Sequence, residues 1–299
     1  MTDIPIIDAS AATRDVKGRS LWDDARRRLM RNPAAVVSLW VVAILVALAA
    51  FGPMLWVHDI DTIFRDEVAI APTLTNYHWL GTDTEGRDMV ARLLFGLRIS
   101  LLVGAAATAV ALTIGLIYGA IAGFLGGWAD NLMMRFVDVL YSIPFIFFVI
   151  VLMTIVPERN IILIFMAIGA VEWLTMSRIV RGQTIALRNK EFVEAARASG
   201  ASPLQIVFRH IVPNVLGPVV VFATLNIPVI ILAESFLSFL GLGVQEPMTS
   251  LGLLISRGAR EMEATPWLLI SPAATMLITL LALNFLGDGL RDALDPKER

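Results

Sequence analysis

Residues 99–124 read "ISLLVGAAATAVALTIGLIYGAIAGF" and contain no Asp, Glu, Lys or Arg. An α-helix of this length exceeds the roughly 20 apolar residues that are needed to cross the hydrocarbon core of a membrane. Of the 299 residues of the chain, 57% are hydrophobic and only 17% are charged, whereas soluble domains average about 45–50% and about 25%. The sequence therefore predicts an all-α polytopic membrane protein.

Six stretches have the length and composition of membrane-spanning helices: 34–56, 99–124, 133–156, 160–180, 215–240 and 266–288. They divide the chain into five predicted parts. These are an N-terminal tail (1–33), a first span (34–56), an external loop (57–98), a five-helix core (99–288) with a cytoplasmic loop at 181–213, and a C-terminal tail (289–299).

The distribution of basic residues predicts the orientation. If the N-terminus is cytoplasmic, 17 of the 24 Lys and Arg residues lie on the cytoplasmic side and seven lie outside. Because cytoplasmic loops carry the excess of positive charge, we expect both termini in the cytoplasm. The first 20 residues contain no apolar stretch, so no cleavable signal peptide is expected.

The tail sequence "SLWDDARRRLMRNP" (20–33) predicts a helix with apolar residues on one face and arginines on the other. Ser20 and Asp23 have the spacing of a capping pattern. This helix is predicted to lie on the inner leaflet of the membrane. A disordered basic tail is the alternative.

Several kinds of chemistry have no residues to support them. The chain has no cysteine, no Gly-Lys dipeptide for a phosphate-binding loop and no H-E-x-x-H motif, and His58, His78 and His210 are far apart in the sequence. The net charge of −2 does not favour nucleic acid as a partner. We therefore predict no catalytic residue, no metal site and no cofactor.

Residues 191–214, "EFVEAARASGASPLQIVFRHIVPN", form a polar passage between apolar segments. Gly200 is typical of the end of a first helix. Ser202 and Gln205 form a capping box that starts a second helix, with its apolar residues at Leu204, Val207, Phe208 and Ile211 and its end at Pro213. The passage is either an amphipathic connector on the membrane or a surface on which another protein docks.

Glycines recur every four residues in the second predicted span, at Gly115, Gly119, Gly123 and Gly127. Small residues at this spacing allow two helices to approach closely. We predict a helix-packing face, either within this chain or against a partner subunit.

Four polar residues in the spans are candidates for a functional role. Glu172 has no partner at helical spacing, and it either bonds a neighbouring helix or faces the translocation path. Asn226 is the preferred pore-lining candidate. Glu234 is also a candidate for the translocation path, and it is predicted near the outer interface, outside the buried middle of the membrane. Asp138 is predicted to pair with Arg135 one turn away.

The stretch from Gly81 to Asp88 predicts a turn followed by a helix that Thr82 or Asp83 caps. This turn, and the loop at about 243–265, are also candidates for contact with an extracytoplasmic binding protein.

Glu194-Ala195-Ala196, followed by Gly200 and Pro213, resembles the EAA loop of binding-protein-dependent ABC importer permeases. In that family the loop forms a coupling helix that seats in a groove of the ATPase subunit. The resemblance implies that Glu194, Ala195, Ala196, Arg197 and Gly200 form the docking site. His210 and Val212 depart from the family pattern, which usually has isoleucine and leucine at these positions.

Four further stretches (81–104, 178–196, 234–247 and 284–296) are similar to the C-type subunits of dipeptide and oligopeptide permeases. The resemblance implies a type I ABC importer permease fold working by alternating access. It also implies a second homologous permease, two ATPase subunits that bind ATP and Mg²⁺, a solute-binding protein, and a peptide substrate. Nickel or another small solute is the alternative cargo. A secondary transporter driven by an ion gradient, with Glu172 and Asp138 as coupling sites, is the alternative function.

Overall fold

The computed structural model of the protein describes residues 21–155 and 161–294. These residues are mostly helical, so the predicted all-α class is confirmed. The predictions for Ser20 and for residues 295–299 lie outside the described residues. The helices are α1 Leu21–Leu29, α2 Pro33–Leu55, α3 Met89–Leu125, α4 Gly127–Tyr141, α5 Phe145–Ile155, α6 Ile161–Leu187, α7 Glu191–Ala198, α8 Pro203–Ile206, α9 Val212–Phe239, α10 Leu251–Arg260 and α11 Trp267–Leu294.

In the described ranges, four continuous helical stretches are long and apolar enough to cross a membrane: Pro33–Leu55, Met89–Leu125, Pro203–Phe239 and Trp267–Leu294. The pair formed by α4 and the part of α5 up to Leu152 makes a fifth if it is one broken span. α6 is not among them. The count of six spans therefore stays a prediction.

The third predicted span, 133–156, is not one continuous helix. α4 ends at Tyr141, α5 begins at Phe145, and the two bend by 79°. Pro144 stands at the break. Proline lacks the N–H that a continuous helix would use, and it disfavours helical geometry in the residue before it. The chain therefore turns where hydropathy alone predicted a straight span.

α3 begins at Met89, ten residues before the predicted start of its span. The side chain of Asp88 caps it by accepting a hydrogen bond from the N–H of Ala91 at 2.8 Å. Capping by Thr82 or Asp83 was therefore the wrong prediction. At about 1.5 Å per residue, this 37-residue helix is about 55 Å long, so it extends well beyond a hydrocarbon core of about 30 Å.

The glycines of α3 pack against α6. A Cβ atom placed on Gly119 would lie 2.3 Å from the carbonyl oxygen of Ser177, and one on Gly123 would lie 2.8 Å from that of Arg181. On Gly115 it would meet the Met176 side chain at 2.6 Å. Gly127 does not continue this face: it is the first residue of α4, with nothing within 4 Å of its added Cβ. The predicted packing face consequently ends where α3 ends.

α1 is helical as predicted over Leu21–Leu29, and it packs against α11. Its Ala25 is buried, whereas Arg26 and Arg27 are exposed. Contact of this helix with the membrane surface stays a prediction.

Candidate functional site

α7 is held to the rest of the chain by a single buried side chain. Val193 is fully buried and belongs to an apolar cluster with Val180 of α6 and with Ile206, Val207 and Ile211 of the following segment. The neighbouring Glu191, Phe192 and Glu194 are exposed. Val193 anchors the helix, half-buried Ala196 packs against the same cluster, and the exposed side chains of the helix are available to another molecule.

The turn after α7 has the geometry that the sequence predicted. Gly200 has φ +82°, which L residues with a side chain rarely adopt. The N–H of Ala201 donates to the carbonyl of Ala196 at 3.1 Å, and that of Gly200 donates to the carbonyl of Arg197 at 3.0 Å. These two bonds define a Schellman ending, which fixes the direction in which the chain leaves α7.

The start of α8 is also as predicted. The N–H of Gln205 donates to the hydroxyl of Ser202 at 3.3 Å, and the Gln205 side chain accepts from the N–H of Ser202 at 2.9 Å. This is a complete capping box. α7, the glycine turn and α8 therefore form a defined unit, the α7–α8 hairpin (residues 191–206).

The predicted end of this helix at Pro213 is wrong. The chain continues from α8 through a π-helical turn, Val207–Ile211, into α9, which has Pro213 in its first turn. Proline has no N–H to donate and its ring clashes with a regular preceding turn. The wider turn just before it accommodates this ring, and the Asn214 side chain donates to the carbonyl of His210 at 2.6 Å.

The exposed face of the hairpin combines charge with apolar surface. Glu194, Ala195 and Arg197 are exposed, and the guanidinium of Arg197 lies 6.0 Å from the ring of Phe124. Ala196 differs from Ala195, because it is half-buried against the hairpin's own apolar cluster.

The predicted apolar face of the second helix is only partly buried. Val207 and Ile211 are buried, whereas Leu204 (61%) and Phe208 (49%) are exposed.

Two arginines, Arg181 in α6 and Arg188 just after the end of α6, link the segment before the hairpin to α4 and α3. Arg181 donates two hydrogen bonds to Asp130 of α4, at 2.6 and 2.7 Å. Arg188 donates to the carbonyl of Gly123 near the end of α3, at 3.2 Å. Bidentate pairs of this kind are among the stronger side-chain contacts. Movement of the hairpin is therefore expected to be passed to α6 and its neighbours.

Two of the predicted path residues contact each other. The side-chain amide of Asn226 in α9 donates to the carboxylate of Glu172 in α6 at 3.1 Å. Asn226 is buried and Glu172 is partly buried. Of the two interpretations left open for Glu172, the structure shows the bond to a neighbouring helix. A role for either residue in the translocation path stays a prediction.

Glu234 is fully buried among the helices of the chain, and its place near the outer membrane interface stays a prediction. Its carboxylate accepts hydrogen bonds from Ser238 at 2.6 Å and from Ser100 at 3.3 Å. Helix length gave only its distance along α9 and could not show that α3 and α10 cover it. As described, the chain leaves no surface of this side chain for a cargo molecule.

Asp138 pairs with Arg178 of α6 at 2.8 Å, and not with Arg135 as predicted. The Arg178 guanidinium also lies 4.4 Å from the centre of the Tyr141 ring. A partner 40 residues away was not visible from helical spacing.

The α2–α3 connection (residues 56–88) and the loop after α9 share a group of charges that sequence reasoning missed. The Glu246 carboxylate is reached by Arg87 at 2.9 Å, by Arg92 at 3.4 Å and, more closely, by Arg257. Burial raises the pKa of Glu246, but the hydrogen bonds and charges of Arg87 and Arg257 outweigh it and leave the pKa below its ordinary value. Burial lowers the pKa of Arg87, but the hydrogen bond of Glu246 and the charges of Glu246, Glu85 and Asp83 outweigh it and leave the pKa above its ordinary value.

Two families match the sequence. Residues 115–299 match the family described as "Binding-protein-dependent transport system inner membrane component". Residues 20–77 match the family described as "N-terminal TM domain of oligopeptide transport permease C".

Individual relatives cover almost the whole chain. The chain is 55% identical to the oligopeptide transport system permease protein OppC of Haemophilus influenzae, over 95% of this chain and 91% of that protein. It is 56% identical to the OppC protein of Escherichia coli K12, over 95% and 94%. It is 41% identical to the dipeptide transport system permease protein DppC of Bacillus subtilis, over 94% and 87%.

Proposed function

This chain belongs to the family of binding-protein-dependent transport system inner membrane components, and on that premise we propose that it is the permease subunit of an ATP-driven importer of oligopeptides or dipeptides. A second, homologous permease completes the pore, and a solute-binding protein delivers the peptide. Two separate ATPase subunits bind and hydrolyse ATP with Mg²⁺. The chain described here is not itself an enzyme under this proposal.

The exposed face of the α7–α8 hairpin is the observation that supports this proposal most directly. Glu194 and Arg197 present charges of both signs, and Ala195 between them has a side chain small enough for another surface to approach. The nearby Phe192, Leu204 and Phe208 add exposed apolar area. Interfaces combine such an apolar centre with a polar rim. The hairpin is proposed to dock on an ATPase subunit.

The coupling step follows from the way the hairpin is attached. Val193 packs on residues of α6 and of the segment that leads into α9, so we expect movement of the hairpin to act on both helices. Closure of the ATPases would therefore change the relative positions of α6 and α9. The bond between Glu172 and Asn226 crosses between these two helices, and we propose that this pair lies along the path that opens and closes.

The proposal places both termini and the hairpin in the cytoplasm. The excess of Lys and Arg in the segments assigned to that side supports this orientation.

A large side chain at Ala195 tests the docking face. Because Ala195 is exposed and Ala196 is half-buried in the chain's own cluster, Ala195→Trp obstructs a partner without disturbing the fold. Ala186→Trp is the matched control, since Ala186 is also an exposed helical alanine but lies in α6, outside the hairpin. We expect Ala195→Trp to weaken docking of the ATPase by roughly tenfold or more, which is about 1.4 kcal/mol of docking free energy, and to lower peptide uptake as a result.

The measurement is retention of the ATPase subunits during purification in mild detergent, together with peptide uptake by whole cells. The Ala186→Trp variant should retain both. Normal uptake and full ATPase retention in Ala195→Trp would mean that the hairpin is only a connector. A chain that purifies alone and takes up its cargo with an imposed ion gradient would instead support a secondary transporter.

A further inference from the structure

A cluster of histidine and carboxylate side chains lies in the α2–α3 connection, away from the hairpin. His58, His78 and Asp88 each offer one ligand atom, and these atoms lie within 4.8 Å of one another. His78 and Asp88 are buried, and His58 is half-buried. The rings of His58 and His78 lie face to face with their centres 4.8 Å apart. Imidazole nitrogens and a carboxylate oxygen are ligands that Zn²⁺ and similar ions prefer.

Each of the three side chains is oriented by a second contact on the side away from the others. The Nε2 atom of His58 lies 2.7 Å from the carbonyl oxygen of Asn76, and the Nε2 atom of His78 lies 2.8 Å from the carboxylate of Glu67. In His78 the Nδ1 atom is then left to face Asp88, and one ring nitrogen of His58 lies within 4.8 Å of the other two ligand atoms. Metal-binding histidines typically make this kind of hydrogen bond from their other nitrogen to a carboxylate or a backbone carbonyl.

The two oxygen atoms of the Asp88 carboxylate also have different partners. Its Oδ1 atom accepts hydrogen bonds from the Trp56 indole and from the N–H of Ala91, both at 2.8 Å. Its Oδ2 atom lies 2.9 Å from Nδ1 of His78. Two ligand atoms on one tetrahedral ion, each about 2.0–2.1 Å from it, are a little more than 3 Å apart. These two atoms are thus already close to the separation that an ion requires.

The surrounding charge also favours a cation. Residues 57–88 contain seven Asp and Glu residues and only two basic residues, Arg65 and Arg87. Arg87 is engaged by Glu85 and Glu246. The segment around the cluster therefore carries a local negative charge, which raises the local concentration of cations.

We propose that His58, His78 and Asp88 form a binding site for one divalent transition-metal ion of the zinc type, with Glu67 and Asn76 orienting the two imidazole rings. The half-buried His58 ring moves inward by roughly 1 Å to complete the coordination, since bound nitrogens lie about 2.0–2.1 Å from the ion. His58 lies three residues beyond the end of α2, and Asp88 caps α3. A bound ion would therefore hold the ends of these two helices together. The site goes beyond the proposed function and needs neither ATP nor a cargo.

Zn²⁺ binding to the purified, assembled complex tests the proposal. The complex is treated with a chelator, kept free of nucleotide and titrated with Zn²⁺, and the metal bound per chain is measured. Co²⁺, whose visible spectrum reports direct nitrogen and oxygen ligation, serves as a second probe. We expect one ion per chain, an affinity at least tenfold lower in His58→Ala, and an affinity roughly tenfold lower in Glu67→Gln.

His58→Ala is the decisive variant because it leaves the Asp88 cap and the buried His78 in place. His210→Ala is the matched control: His210 is also a half-buried histidine, but it lies in the π-helical turn, and this variant should bind Zn²⁺ and Co²⁺ like the unchanged protein. Equal binding by His58→Ala and the unchanged protein, or no saturable binding above the His58→Ala background, overturns the proposal. The cluster would then be a hydrogen-bonded group in which His78 bridges the carboxylates of Glu67 and Asp88.

Discussion

The α2–α3 connection and the α7–α8 hairpin are both polar passages of an apolar chain, and they place their polar groups in opposite ways. In the connection, His78, Asp88 and, at the start of α3, Arg92 are fully buried and meet partners from the same chain. In the hairpin, Glu194 and Arg197 are exposed. One passage uses its charges to fold, and the other leaves them at the surface.

This difference has a physical basis. A buried charge costs several kcal/mol unless it is paired and hydrogen-bonded, so the connection holds its shape only while each partner is present. The hairpin buries only apolar side chains, chiefly Val193 and Ile206, and its shape depends on backbone caps at Gly200 and Ser202. The exposed charged residues of the hairpin are not needed for its fold, so they are available to bind a partner. Substitutions should therefore damage the fold in the first passage and the function in the second.

The largest expected effect concerns the side of the membrane on which each passage lies. The chain has no cysteine, so one introduced at the exposed Thr84 or at the exposed Ala198 is a unique label site. We expect a membrane-impermeant thiol reagent to modify Thr84→Cys in intact spheroplasts, and Ala198→Cys only after the membrane is opened. Reaction of both variants in intact spheroplasts would mean that the two passages lie on the same side of the membrane, contrary to this prediction.

Next in size is the loss of the Asp88 side chain. Asp88→Ala removes the cap of α3 and leaves the Trp56 indole and His78 without their partner. A buried hydrogen-bond donor left without its partner costs about 1–3 kcal/mol, and loss of a helix cap costs about 0.5–2 kcal/mol more. We expect a large fall in the thermal midpoint of the purified complex, or failure to assemble. Asp61→Ala, at an exposed position of the same connection, should stay within about 0.5 kcal/mol of the unchanged protein.

A smaller effect is expected at the glycine that shapes the hairpin. Gly200 has φ +82° and open space where a Cβ would stand, so a substitution meets backbone strain and no clash. Gly200→Val should cost about 1–2 kcal/mol locally, whereas Gly200→Asn should cost less because asparagine tolerates this conformation. ATPase retention should fall in the order Gly, Asn, Val while the thermal midpoint changes little. An equal loss in both variants would argue against a requirement for this backbone geometry.

The smallest effect concerns acid. Because the pKa of folded Glu246 lies below its unfolded value, the stability it contributes is complete above about pH 4.5 and is lost as the pH falls through the folded pKa. Glu246→Gln should therefore remove part of the acid sensitivity of the thermal midpoint below about pH 4.5. The difference between variant and unchanged protein should shrink as the pH falls. A difference that grows towards low pH would contradict the sign of this shift.

Local signals in the sequence predicted the hairpin well. Gly200 and the Ser202–Gln205 pair act within five residues of each other, so their spacing alone defines the turn and the cap. Pro213 was misread because proline ends one helix and also fits the first turn of another, and only the continuous backbone of α9 decides between the two. Asp88 was missed because three side chains, Thr82, Asp83 and Asp88, compete as caps within one short stretch.

Contacts between distant segments could not be predicted in this way. Asp138 bonds to Arg178, Glu172 to Asn226 and Glu246 to Arg87, and these partners are 40, 54 and 159 residues apart in the sequence. Helical spacing reports which face a residue occupies, and it says nothing of which helix packs there. The burial of Glu234 is of the same kind, because its cover comes from α3 and α10.

The π-helical turn at Val207–Ile211 has a consequence for the direction in which the hairpin faces. The N–H of Val212 reaches back to the carbonyl of Val207, one residue further than in an α-helix. Deleting one residue of this turn would restore the regular repeat and rotate everything before it by about 100° around the axis of α9. Ile206 would leave the apolar cluster, and the face with Glu194 and Arg197 would point elsewhere. The direction in which the exposed face of the hairpin points is thus set by the one extra residue of the π-helical turn.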